Sequence, residues 1–342
     1  MDRPTCRPRR AKQEVPSEAS EDGTTATGTT SNDPQDIHMN LKPRIPWVAR
    51  LMLVCIALLT MMPDRTFADD GANVLEIKPS ETDPQITHFD EPNNVLFDDK
   101  SSPQQQLVVF LPGTNGRPRN GERLFHVIVA QGYRVIGLEY NDEPAVVQVC
   151  PRNPSPSCSE AVRQRRIFGT NSTNIVENTP AESIVGRLGS LLKYLDAHDA
   201  ERQWGSYLAG NEPNWRRIVV SGLSQGAGMA AYIAKQREVA RVVLFSSPWD
   251  FYGSSKEVAP WLREPSATPQ ERWFAEYHQR ENTAALIARA YRQLRIPTEN
   301  IRIFNLDVPP EIKVNNENPF HSSTIRVPAY VDQWAFLFGH SP

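Results

Sequence analysis

Cysteine is scarce: of 342 residues only four are Cys, and two of these, Cys6 and Cys55, precede residue 68. The later pair, Cys150 and Cys158, stands alone in Cys-Pro-Arg-Asn-Pro-Ser-Pro-Ser-Cys. A metal site needs more ligands than that, so an isolated pair closing a Pro-rich loop reads as a disulfide. A basic excess is also lacking: the net charge is −3. Nothing therefore points to a nucleic-acid partner, and no basic patch points to anionic membranes. Internal repeats are absent, and no apolar run is long enough to span a bilayer unaided. With 39% hydrophobic and 23% charged residues, the chain has an ordinary globular profile and enough mass for one large core.

Residues 1–38 hold almost no aromatic or branched apolar side chains to offset ordering entropy, and they read as disordered or untranslated. Met39 then opens a different pattern. Lys42, Arg44 and Arg50 form a basic lead, 51–62 are apolar, and Thr66 and Ala68 occupy the −3 and −1 positions of a cleavage site. Residues 39–68 thus read as a signal peptide, the alternative being an uncleaved anchor or a buried helix, and the mature chain is expected to be secreted or periplasmic. An exported location agrees with the disulfide. Residues 69–103 read as an extended N-terminal segment and 104–342 as one α/β domain.

Within that domain, apolar runs and helical patterns alternate. Residues 104–111, 134–140, 218–221, 241–246, 273–277 and 301–306 read as strands. Helices are expected at 121–131, 159–168, about 181–198, after the strand at 218, at 283–294 and at 328–338. Continuously apolar strands between helices imply a doubly wound, mostly parallel α/β sheet with helices on both faces.

The strand at 218 runs into Gly222-Leu-Ser224-Gln-Gly226, followed by small residues. This is the layout of a nucleophile elbow, in which flanking glycines permit a strand-to-helix turn that exposes Ser224 and aims the Gln225 N–H at a developing oxyanion. A serine hydroxyl needs a base and an orienting carboxylate, which follow in the chain order Ser, acid, His. His321, in Asn318-Pro-Phe-His-Ser-Ser-Thr, reads as part of a polar loop beyond the last strand and is the expected base; His278 reads as a strand residue beneath the site. Three carboxylates compete for the acid. Glu281 fits the strand count, Asp307 would need a short acid-to-base connection through Pro309 and Pro310, and Asp250 follows the strand at 241–246. For the second oxyanion donor, the loop Pro112-Gly-Thr-Asn-Gly116 offers the backbone N–H of Thr114 or Asn115, with Thr114 paired to Gln225.

Leu111-Pro-Gly-Thr-Asn-Gly116, Gly222-Leu-Ser-Gln-Gly226 and Phe320-His-Ser322 together resemble the α/β-hydrolase superfamily over about 104–338. The runs at 249–252, 259–262 and 268–278 resemble a poorly characterised bacterial branch of exported hydrolases. The resemblance implies a serine esterase-like hydrolase acting on a small-molecule or polymeric carboxylic ester through an acyl-enzyme, with Ser224, Glu281 and His321, and with neither metal nor cofactor. The loop at 112–116 departs from the His-Gly-Gly-Gly lipase pattern. A peptidase or thioesterase would use the same residues, and a catalytically silent hydrolase-fold binding protein is the rival from another class. Trp249, Phe251, Tyr252, Trp261 and Trp273 would either wall an acyl or sugar pocket or pack a satellite core.

N-terminal sequencing of protein from the native host is expected to begin near Asp69; an intact Met1 on cytoplasmic material would refute the export reading.

Overall fold

The computed structural model describes residues 71–100, 105–170, 173–253 and 256–339. The expected signal peptide and the extension before it lie outside the described residues. Strand β3 (Leu107–Leu111) shows why the sheet forms. Its five residues are all buried, with Leu107, Val109 and Leu111 entering one core and Val108 and Phe110 the other. That is the two-residue alternation of a strand covered on both faces.

The other strands of this sheet are β1 (Asn73–Ile77), β2 (Asn93–Phe97), β4 (Arg134–Gly137), β5 (Ile218–Leu223), β6 (Arg241–Phe245), β7 (Trp273–His278) and β8 (Ile301–Phe304). Their spatial order is β1-β2-β4-β3-β5-β6-β7-β8. β2 is antiparallel to both neighbours, and from β4 to β8 all pairings are parallel.

Helices α1 (Glu122–Val129) and α7 (Val331–Leu337) cover one face, where Leu124, Phe125, Trp334 and Leu337 share a core with Val108 and Phe110. On the other face lie α2 (Cys158–Phe168), α3 (Ile184–His198), α4 (Gln225–Gln236) and α5 (Ala284–Gln293), which contribute Val162, Leu188, Met229 and Ile287. A short helix, α6 (Pro319–Ser323), precedes α7. This is a doubly wound, mostly parallel sheet of the α/β-hydrolase type.

Two differences from the sequence expectation matter for the site. The strand expected over 134–140 ends at Gly137. Leu138 N–H still donates to Phe110 O at 3.0 Å, and the chain then leaves the sheet to bury Tyr140 and Asp142 beside the β3 loop. β1 and β2 occupy a stretch without a sequence signal for strands, because β1 is largely exposed and β2 opens on Asn93 and Asn94, residues depleted in strands. Both asparagines are buried, and Asn93 donates to Ile77 O at 3.0 Å while accepting from Glu139 N–H at 2.9 Å.

Trp261 and Trp273 are buried in the core and Trp249 packs against it, so these rings serve packing. Cys150 and Cys158 form the disulfide, with Cα atoms 5.6 Å apart, tying a short helical turn at Val146–Val149 to the start of α2. Replacing both with serine is expected to lower the unfolding free energy by about 2–3 kcal/mol, from the entropy of a loop this short. Urea titration reads the difference, and a variant as stable as the wild type would refute it.

Candidate active site

β5 delivers Ser224 at φ 54° and ψ −118°, a left-handed conformation costing a non-glycine residue roughly 1–3 kcal/mol. Two backbone hydrogen bonds hold it: Ser224 N–H donates to Phe245 O at 2.9 Å, and Gly228 N–H donates to Ser224 O at 3.1 Å. The turn requires glycine at 222, where a Cβ would lie 2.5 Å from the carbonyl carbon of Gly226 and 2.6 Å from Leu111 O. α4 begins at the next residue, so the Gln225 N–H lies in a first turn that has no intrahelical acceptors. The Gln225 side chain turns elsewhere, its Oε1 accepting from Val146 N–H at 3.4 Å.

His321 sits not in an open loop but within α6, whose first residue is Pro319, well suited to a helix start. Its Nδ1 lies 2.7 Å from Glu281 Oε2. The carboxylate is held from behind: Glu281 Oε1 accepts from the Ser246 hydroxyl at 2.7 Å and from His278 N–H at 2.8 Å. Its side chain is inaccessible, whereas that of His321 is 21% exposed. With a proton on Nδ1 donated to Glu281, the Nε2 lone pair is available to a second group. Nε2 forms no hydrogen bond with any described residue, Ser224 included. Ser224 and His321 nevertheless open onto one cavity of ≈ 320 Å³, shared with Thr114 and Asn115. Catalytic contacts are often long in a free enzyme and tighten around substrate.

The competing carboxylates lie elsewhere. Asp250 is buried in a two-point ion pair with Arg163, at 2.6 and 2.8 Å, and accepts from Trp261 Nε1 at 3.0 Å. Asp307 is at the surface, 2.7 Å from Arg280. His278 ends β7, stacks on Phe320 with ring centroids 4.5 Å apart, and bonds through Nε2 to Leu306 O at 2.9 Å.

Four further residues support the site and carry no recognisable motif. Ser246, at the end of β6, is one of the two donors behind Glu281. Glu276 is wholly buried in the same region. Burial, and secondarily the neighbouring charge of Glu281, push its carboxyl well above the usual range, which favours its neutral form. On the other side, the Tyr140 hydroxyl donates to Pro112 O at 2.9 Å. Gly116 N–H is shared between Gly113 O at 2.7 Å and Asp142 Oδ2 at 3.1 Å, and Asn115 takes φ 57°. Tyr140 and Asp142 thus tether both ends of the loop that holds Thr114. Burial raises Asp142 to about 6, with Gly116 N–H pulling downward and Glu143 pushing upward. Among the described residues no cluster of His, Cys, Asp or Glu could hold a metal ion.

No family model and no curated protein matches this chain. Similar solved structures include a bacterial heroin esterase, at 15% identity and TM-score 0.42, covering 85% of this chain and 88% of its own. An α/β serine hydrolase without a lid from Xanthomonas campestris matches at 10% identity and TM-score 0.38, covering 81% and 100%. The thermophilic carboxylesterase EstE1, from a metagenomic library, matches at 12% and 0.40, covering 79% and 87%. The strand order and the strand–turn–helix around Ser224 give the sheet the α/β-hydrolase type of fold by its own topology.

Asp142 binds its proton more tightly folded than unfolded, so the stability it contributes is present below the ordinary carboxyl range and lost as pH rises through about 6. Asp142→Asn keeps an acceptor for Gly116 and is expected to gain stability relative to wild type between pH 4 and pH 7, measured by urea unfolding across that range. A difference independent of pH would refute this assignment.

Proposed function

We propose that this protein is a serine hydrolase that cleaves carboxylic esters through an acyl-enzyme. The observation that carries the reading is the 2.7 Å contact of buried Glu281 with His321, whose ring shares a cavity with the strained Ser224. Ser224 Oγ attacks the acyl carbon while His321 Nε2 takes its proton. Glu281 stabilises the imidazolium through Nδ1 and fixes its tautomer. The N–H groups of Gln225 and Thr114 receive the oxyanion, each such donor being worth about 2.7–4 kcal/mol of transition-state stabilisation. Collapse expels the alcohol with the proton from His321, and water then repeats the sequence on the acyl-enzyme. In this reading the protein works in an oxidising compartment, secreted or periplasmic, which the Cys150–Cys158 bond supports.

A fluorophosphonate is expected to label the folded protein stoichiometrically and to fail on Ser224→Ala; an unlabelled wild type would mean a binding protein. Glu281→Gln is expected to lower kcat by about 10⁴-fold, because the wrong tautomer is then held. Asp307→Asn should remain near wild type. Asp250→Asn should act through stability, since it leaves Arg163 buried without its counter-charge. Comparable losses of kcat in all three would remove Glu281 from its role.

A further inference from the structure

The cavity at Ser224 does not end at the oxyanion loop. Thr114 and Asn115 also border a second cavity of ≈ 580 Å³, and Phe89 and Glu143 border both that one and a third of ≈ 720 Å³, which reaches Asn141, Asn178 and Glu182. Topology places these on one edge of the sheet. The loops after β5, β3 and β4 stand side by side, and β2, running the other way, brings the segment just before it to the same edge. Three strand spacings of about 4.8 Å make this groove roughly 14 Å long. Ligands of open α/β sheets bind at this edge.

Phe89 stands where the second and third cavities meet, and its backbone is strained, at φ 52°. Arg187, 2% exposed, clamps it by donating to Phe89 O at 2.8 Å and His88 O at 2.5 Å. A buried arginine thus holds a half-buried aromatic ring in an unfavourable conformation at the centre of the groove, as is typical of ligand clamps.

We propose that the ester's alcohol is a polyhydroxylated chain, an O-acylated oligosaccharide, whose sugar units lie along this groove; the proposal rests on the esterase reading above. Exposed Glu143 and half-buried Asn141 offer the mixed acceptors and donors that vicinal hydroxyls satisfy in both directions, over a floor in which buried Asn178 accepts from Asn141 and buried Glu182 is held by His88 and Thr179. The Phe89 ring presents a π-face to the C–H side of a sugar. An alkyl chain would strip water from those amides and carboxylates without replacing it. A peptide strand would need an edge ladder, whereas the groove crosses strand ends. In the step itself, the acyl carbon exchanges its bond to the sugar oxygen for one to Ser224 Oγ. The sugar oxygen leaves with the proton from His321, and water releases the acid.

The test compares p-nitrophenyl acetate with O-acetylated oligosaccharides of increasing length, following acetate release. Wild-type kcat/KM is expected to rise about tenfold or more from monosaccharide to longest chain, a gain of one modest contact set. Phe89→Ala and, separately, Glu143→Gln should collapse that ratio. Ser224→Ala should bind the deacetylated oligosaccharides by NMR titration in a manner that adding Phe89→Ala abolishes. Hydrolysis of p-nitrophenyl acetate with no dependence on sugar length, or a preference for acylated peptides, overturns the groove assignment alone. Binding of oligosaccharide by a protein that hydrolyses none of these esters overturns the esterase reading instead, and with it the assignment of the sugar as leaving group.

Discussion

At the end of β3 the Leu111 carbonyl occupies space that any side chain on the facing turn would need. Leu111 pairs in register with Gly222, and both Gly222 and Gly226 would drive a Cβ into the backbone of residues 111–112. Because the two strands stay paired to the last residue of β3, the Ser224 turn and the loop at 112–116 emerge from adjacent strands at one edge. Everything proposed for the chemistry depends on that contact. The Gln225 N–H, the Thr114 N–H and the Ser224 hydroxyl can converge only if no side chain separates β3 from the start of α4.

The polar groups beneath this edge are arranged asymmetrically. On the β6–β7 side, Ser246 and His278 fill one oxygen of Glu281 and leave the other for His321, while Glu276 stays neutral nearby. On the β4 side, Tyr140 and Asp142 hold backbone atoms of the loop at 112–116 and bond to neither Ser224 nor His321. One side therefore presents a carboxylate oxygen to the imidazole, and the other fixes the backbone of the loop at 112–116. A charge kept at Glu276 as well would put two carboxylates against each other in a buried region, which disfavours the charged form.

How far the sequence reveals this molecule depends on how local each signal is. The elbow was legible because a β-branched run, two glycines and a small-residue helix lie within twenty residues, and sheet strands such as 241–245 announce themselves by unbroken apolarity. Glu281 could only be ranked, since Asp250 and Asp307 also follow strands and their partners, Arg163 and Arg280, are set by tertiary packing. Tyr140 and Asp142 look like ordinary loop residues after a strand. β1 and β2 lacked a signal because edge position and buried asparagines override residue preference. The tryptophans after β6 offered both a pocket and a core, and burial decided for the core at Trp261 and Trp273.

The placement of His321 shows why the acid contributes more than charge. α6 has five residues, too few to be stable as a helix on its own. Near the imidazole it is held to the body of the protein by the Glu281 bond, by the stacking of Phe320 on His278 and by the Ser246 hydroxyl, 3.4 Å from His321 O. Glu281, by contrast, is positioned by Ser246 and by the backbone of His278 whether or not the histidine is present. The order of dependence therefore runs from strand end to carboxylate to imidazole. The last link is the one hydrogen bond the ring makes among the described residues, so Glu281 Oε2 sets the orientation of the imidazole.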